Sequence, residues 1–207
     1  MTIRDDYLAA AATAVELLRE PAVAEAWGRP SALEDFSVGG LAAHLAGQIR
    51  HVVDAEPVSP GAPLSLLENY ARAAWAGQGP EHEVNVAIRQ AGEKAGSDGP
   101  AALAARAGED LAQARARVAS APDGLVVHMA GRDLAFDDFL LTRLMEILVH
   151  ADDLAASVQL PTPEFDESAG FAVTDLLSRL AVRRHGLTPV LRALARSERA
   201  PRTVSAF

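Results

Sequence analysis

The stretch Leu140-Leu-Thr-Arg-Leu-Met-Glu-Ile-Leu-Val-His-Ala-Asp-Asp153 decides the fold, because a line of polar side chains interrupts an otherwise apolar helical pattern. Residues three or four apart lie on one face of a helix, so Arg143, Glu146, His150 and Asp153 form that line. Burying such a line costs folding free energy unless its groups are paired or ligated. A metal site inside a helical bundle is the simplest physical reason for it.

Helical patterns cover most of the rest of the chain, whereas an alternating strand pattern is confined to Leu125-Val-Val-His128. Apolar spacing and the proline and glycine breaks predict helices over residues 2–19, 38–55, 64–77, 81–95, 101–120, 136–158, 166–185 and 188–197. Residues 125–135 are predicted to form a small hairpin or extended loop with Ala130-Gly131 at its tip, and 198–207 an extended tail. The pattern predicts an all-α fold, an antiparallel bundle over residues 1–160 with a short helical extension, 161–207, packed on it.

The composition excludes several classes of function. The net charge of −9 argues against binding to nucleic acid or to an anionic membrane surface, since both need a basic face. The chain has no cysteine, so disulfides, zinc ribbons, iron–sulfur clusters and a cysteine nucleophile are excluded. Any thiol chemistry must use a thiol supplied by a cosubstrate.

The N-terminal residues do not form a signal-peptide pattern, and no uncharged apolar run reaches the roughly 18 residues that span a membrane. We therefore expect a cytoplasmic protein that does not bind membranes.

Three side chains are candidate metal ligands. Glu146 and His150 lie on one predicted helix, and His44 lies in the small-residue stretch Val38-Gly-Gly-Leu-Ala-Ala-His-Leu-Ala-Gly47 of another. Two ligands from one helix and a third from its neighbour is how bundles build metal sites. A His₂Glu set leaves a coordination position open, as in catalytic zinc sites, although Ni²⁺, Fe²⁺ or Mn²⁺ also accept these ligands.

Each candidate also has a simpler interpretation. His44 alone could be a core histidine with one hydrogen bond, and Glu146 could pair with Arg143 within the helix. Asp153 or Asp152 could orient His150, but a solvated helix face is the favoured interpretation for Asp152.

The remaining histidines give weaker signals. His51 could line a cavity or lie on the surface beside Asp54, and His82 is expected to be exposed. His128 has no partner that the sequence identifies. His185 is at a helix C-terminus, where a structural role is expected.

Two motifs resemble the mycothiol-dependent maleylpyruvate isomerase N-terminal domain family, which belongs to the DinB-like helical bundles. Phe36-Ser-Val-Gly-Gly-Leu-Ala-Ala-His-Leu-Ala46 resembles the family's first metal motif, and Leu140 to Leu154 resembles the second. The resemblance extends from residue 1 to about residue 160. It implies a DinB-like four-helix bundle with a divalent metal, usually zinc, held by His44, Glu146 and His150.

The resemblance also implies a low-molecular-weight thiol cosubstrate, mycothiol or a similar thiol. Arg72 corresponds by position to a family arginine that contacts the substrate. The isomerase proper has a further C-terminal domain that contributes an active-site arginine. In this chain Arg183, Arg184 and Arg192 are candidates for supplying such a charge.

Three functions remain open at this point. Coordination to a divalent cation deprotonates a thiol, whose pKa is otherwise about 8.5, so the first is a metal- and thiol-dependent transferase or isomerase acting on a small electrophile. In it, Arg72 or Arg143 would hold a carboxylate. The second is a hydrolase that uses a metal-bound water with Asp153 as base. The third is a non-catalytic, metal-stabilised binding or dimerisation module. The expected partners are a small-molecule substrate and a thiol, in a monomer or homodimer.

Overall fold

The computed structural model describes residues 2–58, 62–73, 77–79 and 81–207, and 66% of the chain is helical. The α-helices of these residues are Ile3–Leu18 (α1), Pro21–Glu25 (α2), Val38–Asp54 (α3), Leu66–Ala71 (α4), Glu83–Ala95 (α5), Pro100–Ser120 (α6), Phe136–Ser157 (α7), Glu167–His185 (α8) and Leu187–Ala195 (α9). None of the helices in this part of the chain is long and apolar enough to cross a membrane.

Most helix ends lie within two residues of the predicted ones. The helix predicted over 64–77 is shorter, because α4 ends at Ala71, and residues 74–76 lie outside the described part of the chain. The sequence pattern does not predict α2, a single turn with a proline at its first position, because five residues are too few to show a helical period.

The helices α1, α3, α6 and α7 form a four-helix bundle in which α1 and α3 each pack against both α6 and α7. Large apolar side chains fill the space between them, and Leu41, Ile49, Leu144 and Ile147 are fully buried. The predicted all-α bundle is therefore confirmed.

The N-terminus of α3 is fixed by close contacts with α5. The Ser37 Oγ accepts a hydrogen bond from the Gly40 N–H at 2.9 Å, and Glu93 of α5 accepts hydrogen bonds from the Ser37 N–H and hydroxyl at 2.8 Å each. A Cβ atom on Gly92 would lie only 2.9 Å from the Gly40 carbonyl oxygen. The two backbones can approach this closely only because position 92 has no side chain, and the contact lies one helical turn before His44.

A small antiparallel sheet leads directly into α7. It has the order β1-β2-β3, formed by Glu56–Pro57, Val126–Met129 and Arg132–Ala135. Ala130 and Gly131 connect β2 and β3 with φ values of 50° and 77°, the positive values that a tight two-residue hairpin turn requires. The predicted hairpin and its tip are confirmed, whereas β1 is not predicted because its two residues carry no strand pattern.

The helix α8 packs on α1 and α7. The Ser168 hydroxyl donates a 2.6 Å hydrogen bond to the buried Asp6 carboxylate of α1, and apolar residues of α8 belong to the main core. After α9, a 3₁₀ turn at Ser197–Arg199 leads to the tail. His185, the last residue of α8, donates a 2.8 Å hydrogen bond to the Ser205 carbonyl oxygen of the tail. The division of the chain at Pro161 stays a prediction.

Candidate metal centre

The three predicted ligands converge between α3 and α7. Glu146 Oε2 lies 3.1 Å from His150 Nε2 and 3.8 Å from His44 Nε2, and one donor atom from each residue lies within 4.8 Å of the others. Two ligands of a tetrahedral zinc ion are separated by about 3.4 Å, given bond lengths of about 2.0–2.2 Å. The two distances to Glu146 lie on either side of that value, and the third pair lies within 4.8 Å, which is compatible with three donors around one cation.

Aromatic rings and the bundle core enclose these donors on most sides. The His44 and His150 rings meet edge to face with their centroids 4.7 Å apart, and the Phe36 ring lies 5.9 Å from that of His44. The exposed fractions of the His44, Glu146 and His150 side chains are 21%, 13% and 15%. The donors are thus shielded from bulk water but can still be reached.

Asp153 holds His150 from the other side of its ring. The His150 Nδ1 lies 3.0 Å from Asp153 Oδ2, while Nε2 faces Glu146. Burial alone would lower the pKa of His150, but the hydrogen bonds to Asp153 and Glu146 outweigh it and raise the pKa to about 9. In the metal-free protein at neutral pH, the imidazolium therefore bridges two carboxylates. A cation that replaced the Nε2 proton would leave Nδ1–H donating to Asp153, the usual support for a histidine ligand.

Glu146 is ionised over the whole physiological pH range. Burial alone would raise the pKa of this carboxyl group, but interactions with His150, His44 and Arg143 hold it well below its usual range. A buried carboxylate needs a compensating positive charge. A divalent cation would supply it and would also accept the oxygen ligand that carboxylates offer.

Gln48 is a site residue that sequence reasoning missed. Its side chain is 1% exposed, and its Oε1 accepts a 2.6 Å hydrogen bond from Arg143 Nη1. The Gln48 NH₂ group must therefore face His44, where it lies 2.9 Å from the carbonyl oxygen and 3.4 Å from Nε2. The amide therefore ties Gln48 to the backbone of His44 and packs beside its ring. The signal available in the sequence was the four-residue spacing between His44 and Gln48.

One guanidinium group, that of Arg143, lies beside the centre, and a second, that of Arg132, lies near Arg143. Arg143, besides its bond to Gln48, donates from Nε to the Thr142 hydroxyl at 3.1 Å and stacks 5.6 Å from the Phe139 ring centroid. Arg132, at the start of β3, is partly buried, and its Nε makes no hydrogen bond within the described part of the chain. Burial lowers the pKa of Arg132, and the positive charge of Arg143 lowers it further. The sequence did not identify Arg132, because only the hairpin brings it near α7.

Other sequence candidates lie elsewhere. Arg72 is the exposed C-cap residue of α4, and within the described residues it makes no hydrogen bond or ion pair with the three ligands. Asp152, as expected, is exposed, and it accepts a short hydrogen bond from Thr162. Arg183 and Arg184 lie in the last turn of α8 and Arg192 in that of α9.

The structure also assigns surroundings to the remaining histidines. His51 is partly buried near the site, and its pKa is lowered to about 4 by burial and by the charges of Arg143 and His44. His82 was predicted to be exposed, but it is partly buried. Its Nδ1 accepts a hydrogen bond from the Val84 N–H and caps α5. His128, for which no partner was identified, pairs with Asp133 across the hairpin at 2.7 Å.

The chain matches a known protein family. The family described as the mycothiol maleylpyruvate isomerase N-terminal domain matches residues 8–155, which include both candidate metal motifs and all four bundle helices apart from the first residues of α1 and the last of α7. No curated protein and no solved structure matches the chain.

Proposed function

We propose that this chain, which belongs to the mycothiol maleylpyruvate isomerase N-terminal domain family, binds a divalent metal ion, zinc in the first instance, and uses it to activate a low-molecular-weight thiol. The single observation that carries this proposal is the convergence of His44, Glu146 and His150 within 4.8 Å at a largely buried point between two helices. The donor set is two imidazoles and one carboxylate, which suits catalytic zinc.

Each residue around the centre has a role in this proposal. Glu146 supplies the anionic ligand, and its interactions keep it ionised. Asp153 fixes the Nδ1 proton of His150, so that Nε2 becomes a ligand once a cation replaces its proton. Gln48 holds its amide NH₂ group against His44. A bound metal ion would lower the pKa of a coordinated thiol and so supply a thiolate at neutral pH.

The proposed reaction joins this thiol to a small electrophile. The thiol loses its proton to water, and its sulfur adds to an electrophilic carbon. In a transfer, a leaving group departs with its electron pair, whereas in an isomerisation the same sulfur leaves again after a bond has rotated. Arg143, which interacts electrostatically with Glu146, and Arg132, which lies near Arg143, are suited to hold a carboxylate of the substrate. They are stronger candidates for this role than the exposed Arg72.

The hydrolytic alternative receives less support from the geometry. Asp153 lies against Nδ1 of His150, on the opposite side of the ring from the Nε2 atom that faces Glu146. This contact supports an orienting role for Asp153 over a role as general base for a metal-bound water.

The test uses the full chain loaded with zinc, mycothiol as the thiol and 1-chloro-2,4-dinitrobenzene as a general electrophile. We expect thiol conjugate to form only with metal present and to be lost in His150→Ala. The matched control is His128→Ala, which removes an exposed histidine of the hairpin and should keep full activity. Conjugate formation in metal-free protein, or undiminished in His150→Ala, would overturn the proposal. Metal retained at full occupancy without any thiol reaction would favour the non-catalytic module.

A further inference from the structure

A cavity of about 460 Å³ lies directly beside the candidate metal centre. Glu146 and His150 form part of one side, together with Met145 and Val149 of the same helix. The opposite side is built by α8, α9 and the tail. Small-molecule sites have volumes of about 300–1,000 Å³, so the cavity has room for a compact organic ligand.

The wall facing the two ligand side chains is mainly apolar. It includes Leu177 of α8, Val190 and Leu194 of α9, and Ala206 and Phe207 of the tail. No lysine or arginine of the described residues lines it. The polar residues of that wall are Thr174, Ser178 and Ser205. An anionic ligand would therefore lose its hydration there without a cationic partner, whereas a hydrocarbon group would gain from leaving water.

Leu194 lies at the open rim of the cavity. Its side chain lines the cavity although the residue is 74% exposed. Leu191, on the same helix, is 53% exposed but does not line the cavity. An apolar ligand would cover part of Leu194 and leave Leu191 unchanged, which provides a matched pair for a test.

We infer that this cavity binds the hydrocarbon chain or ring of the electrophile, whose reactive carbon then lies at the metal centre. Leu177, Leu194 and Phe207 are the residues that determine its size and shape. All three lie outside residues 8–155, which match the family, so the specificity is a property of this chain's C-terminal segment. The inference deepens the proposed function and rests on it for the identity of the reactive group.

The test measures binding of 1-butanol, 1-hexanol and 1-octanol to the full chain by NMR chemical-shift titration, both metal-free and zinc-loaded. We expect affinity to rise about fourfold for each added methylene, the factor that corresponds to burying one such group. The shifts should map to Leu177, Leu194 and Phe207. Leu194→Ser should weaken 1-hexanol binding about fivefold, and Leu191→Ser should leave it unchanged.

A second arm links the cavity to the reaction. With zinc and mycothiol, 1-iodoalkanes of the same lengths should react with kcat/KM rising with chain length, and Leu194→Ser should flatten that rise. In this reaction the sulfur–carbon bond forms as iodide leaves with the electron pair. Alkanol affinity that does not depend on chain length, or that falls equally in Leu191→Ser, overturns the inference. Chain-length-dependent alkanol binding without any thiol reaction upholds the apolar cavity and refutes the proposed function instead.

Discussion

Arg143 Nη1 on α7 donates a hydrogen bond to Gln48 Oε1 on α3, and the two atoms are 2.6 Å apart. This partly buried, charge-assisted bond joins the two helices that carry the candidate metal ligands. It also sets which end of the Gln48 amide faces His44. Gln48, which is not itself a candidate ligand, therefore links the helix of His44 to the helix of Glu146 and His150.

Loss of this bond should weaken the candidate metal centre. In Gln48→Leu, Arg143 loses its acceptor and His44 loses the amide that faces Nε2. We expect zinc affinity to fall about 10-fold, within the range found for partners of metal ligands. Competition with a chromogenic chelator would measure it. Gln113→Leu, at an exposed position of α6, is the control. Equal zinc affinity in Gln48→Leu and wild type would show that the amide does not support the centre.

Asp153 and Asp152 provide a matched pair on α7. Asp153 accepts from His150, whereas Asp152 is exposed and bonds to Thr162. Asp153→Asn removes the charge that orients His150 and should weaken zinc binding by about 10- to 100-fold. Asp152→Asn should leave it unchanged. Isothermal titration with zinc would measure both, and a comparable loss in the two variants would rule out a specific role for Asp153.

Metal binding should stabilise the fold. At a free zinc concentration of 100 times Kd, a site present only in the native state adds about 2.7 kcal/mol to the free energy of unfolding. For a domain of this size we expect Tm to rise by roughly 5–10 °C. Glu146→Gln removes the anionic ligand and should abolish the rise, while Glu16→Gln, an exposed position on α1, should retain it. Scanning calorimetry with and without zinc makes the comparison, and an undiminished rise in Glu146→Gln would contradict the assignment.

His51 should make the metal-free protein sensitive to acid. Its pKa is lowered from 6.5 to about 4 by burial and by Arg143 and His44, against opposing effects of Asp54 and Glu146. Between these pH values the unfolded chain binds the proton and the folded chain does not, so stability falls as pH falls through this window. A shift of this size corresponds to about 3 kcal/mol.

The measurement for His51 is urea unfolding from pH 7 to pH 4 in the presence of a chelator. The variant His51→Gln cannot titrate and should lose less stability over this range than wild type. Parallel stability curves for the two proteins would mean that His51 does not contribute to the acid sensitivity.

The contact between α3 and α5 gives a prediction about the scaffold. In Gly92→Ala the new methyl group would lie 2.9 Å from the Gly40 carbonyl oxygen, which forces the helices apart. We expect a loss of about 1–3 kcal/mol in stability and weaker zinc binding, because α3 carries His44. Gly47→Ala, where a Cβ would have no neighbour within 4 Å, should stabilise α3 by roughly 0.5–1 kcal/mol. Urea unfolding of both variants would decide, and a neutral Gly92→Ala would show that the helices can separate at no cost.

Local periodicity made the helices predictable, and it also predicted the two candidate ligands that lie on α7. Glu146 and His150 share a face because of their spacing alone, and the turn Ala130-Gly131 is a short-range signal. The predicted position of α7 follows from the same rule. Such features depend on residues near one another in the chain, and a sequence displays them directly.

The remaining site residues depend on contacts between distant segments. Arg132 approaches Arg143 only because the β2–β3 hairpin folds against α7, and the partner of the Gln48 amide lies on another helix. Arg72 was matched to a family arginine by its position along the chain. Such a match does not predict whether the side chain is buried or exposed, and Arg72 is exposed. The strand β1 is likewise defined by a distant segment, because the two residues Glu56–Pro57 form a strand only through their hydrogen bonds to β2.

The junction between β3 and α7 contains no loop, because the strand ends at Ala135 and the helix begins at Phe136. An insertion there would turn every following side chain of α7 by about 100° per residue and carry Glu146 and His150 away from His44. An insertion at Ala130-Gly131 would lengthen only an exposed turn. Length differences among related chains should therefore accumulate at that tip, while the spacing from position 135 onward is kept constant.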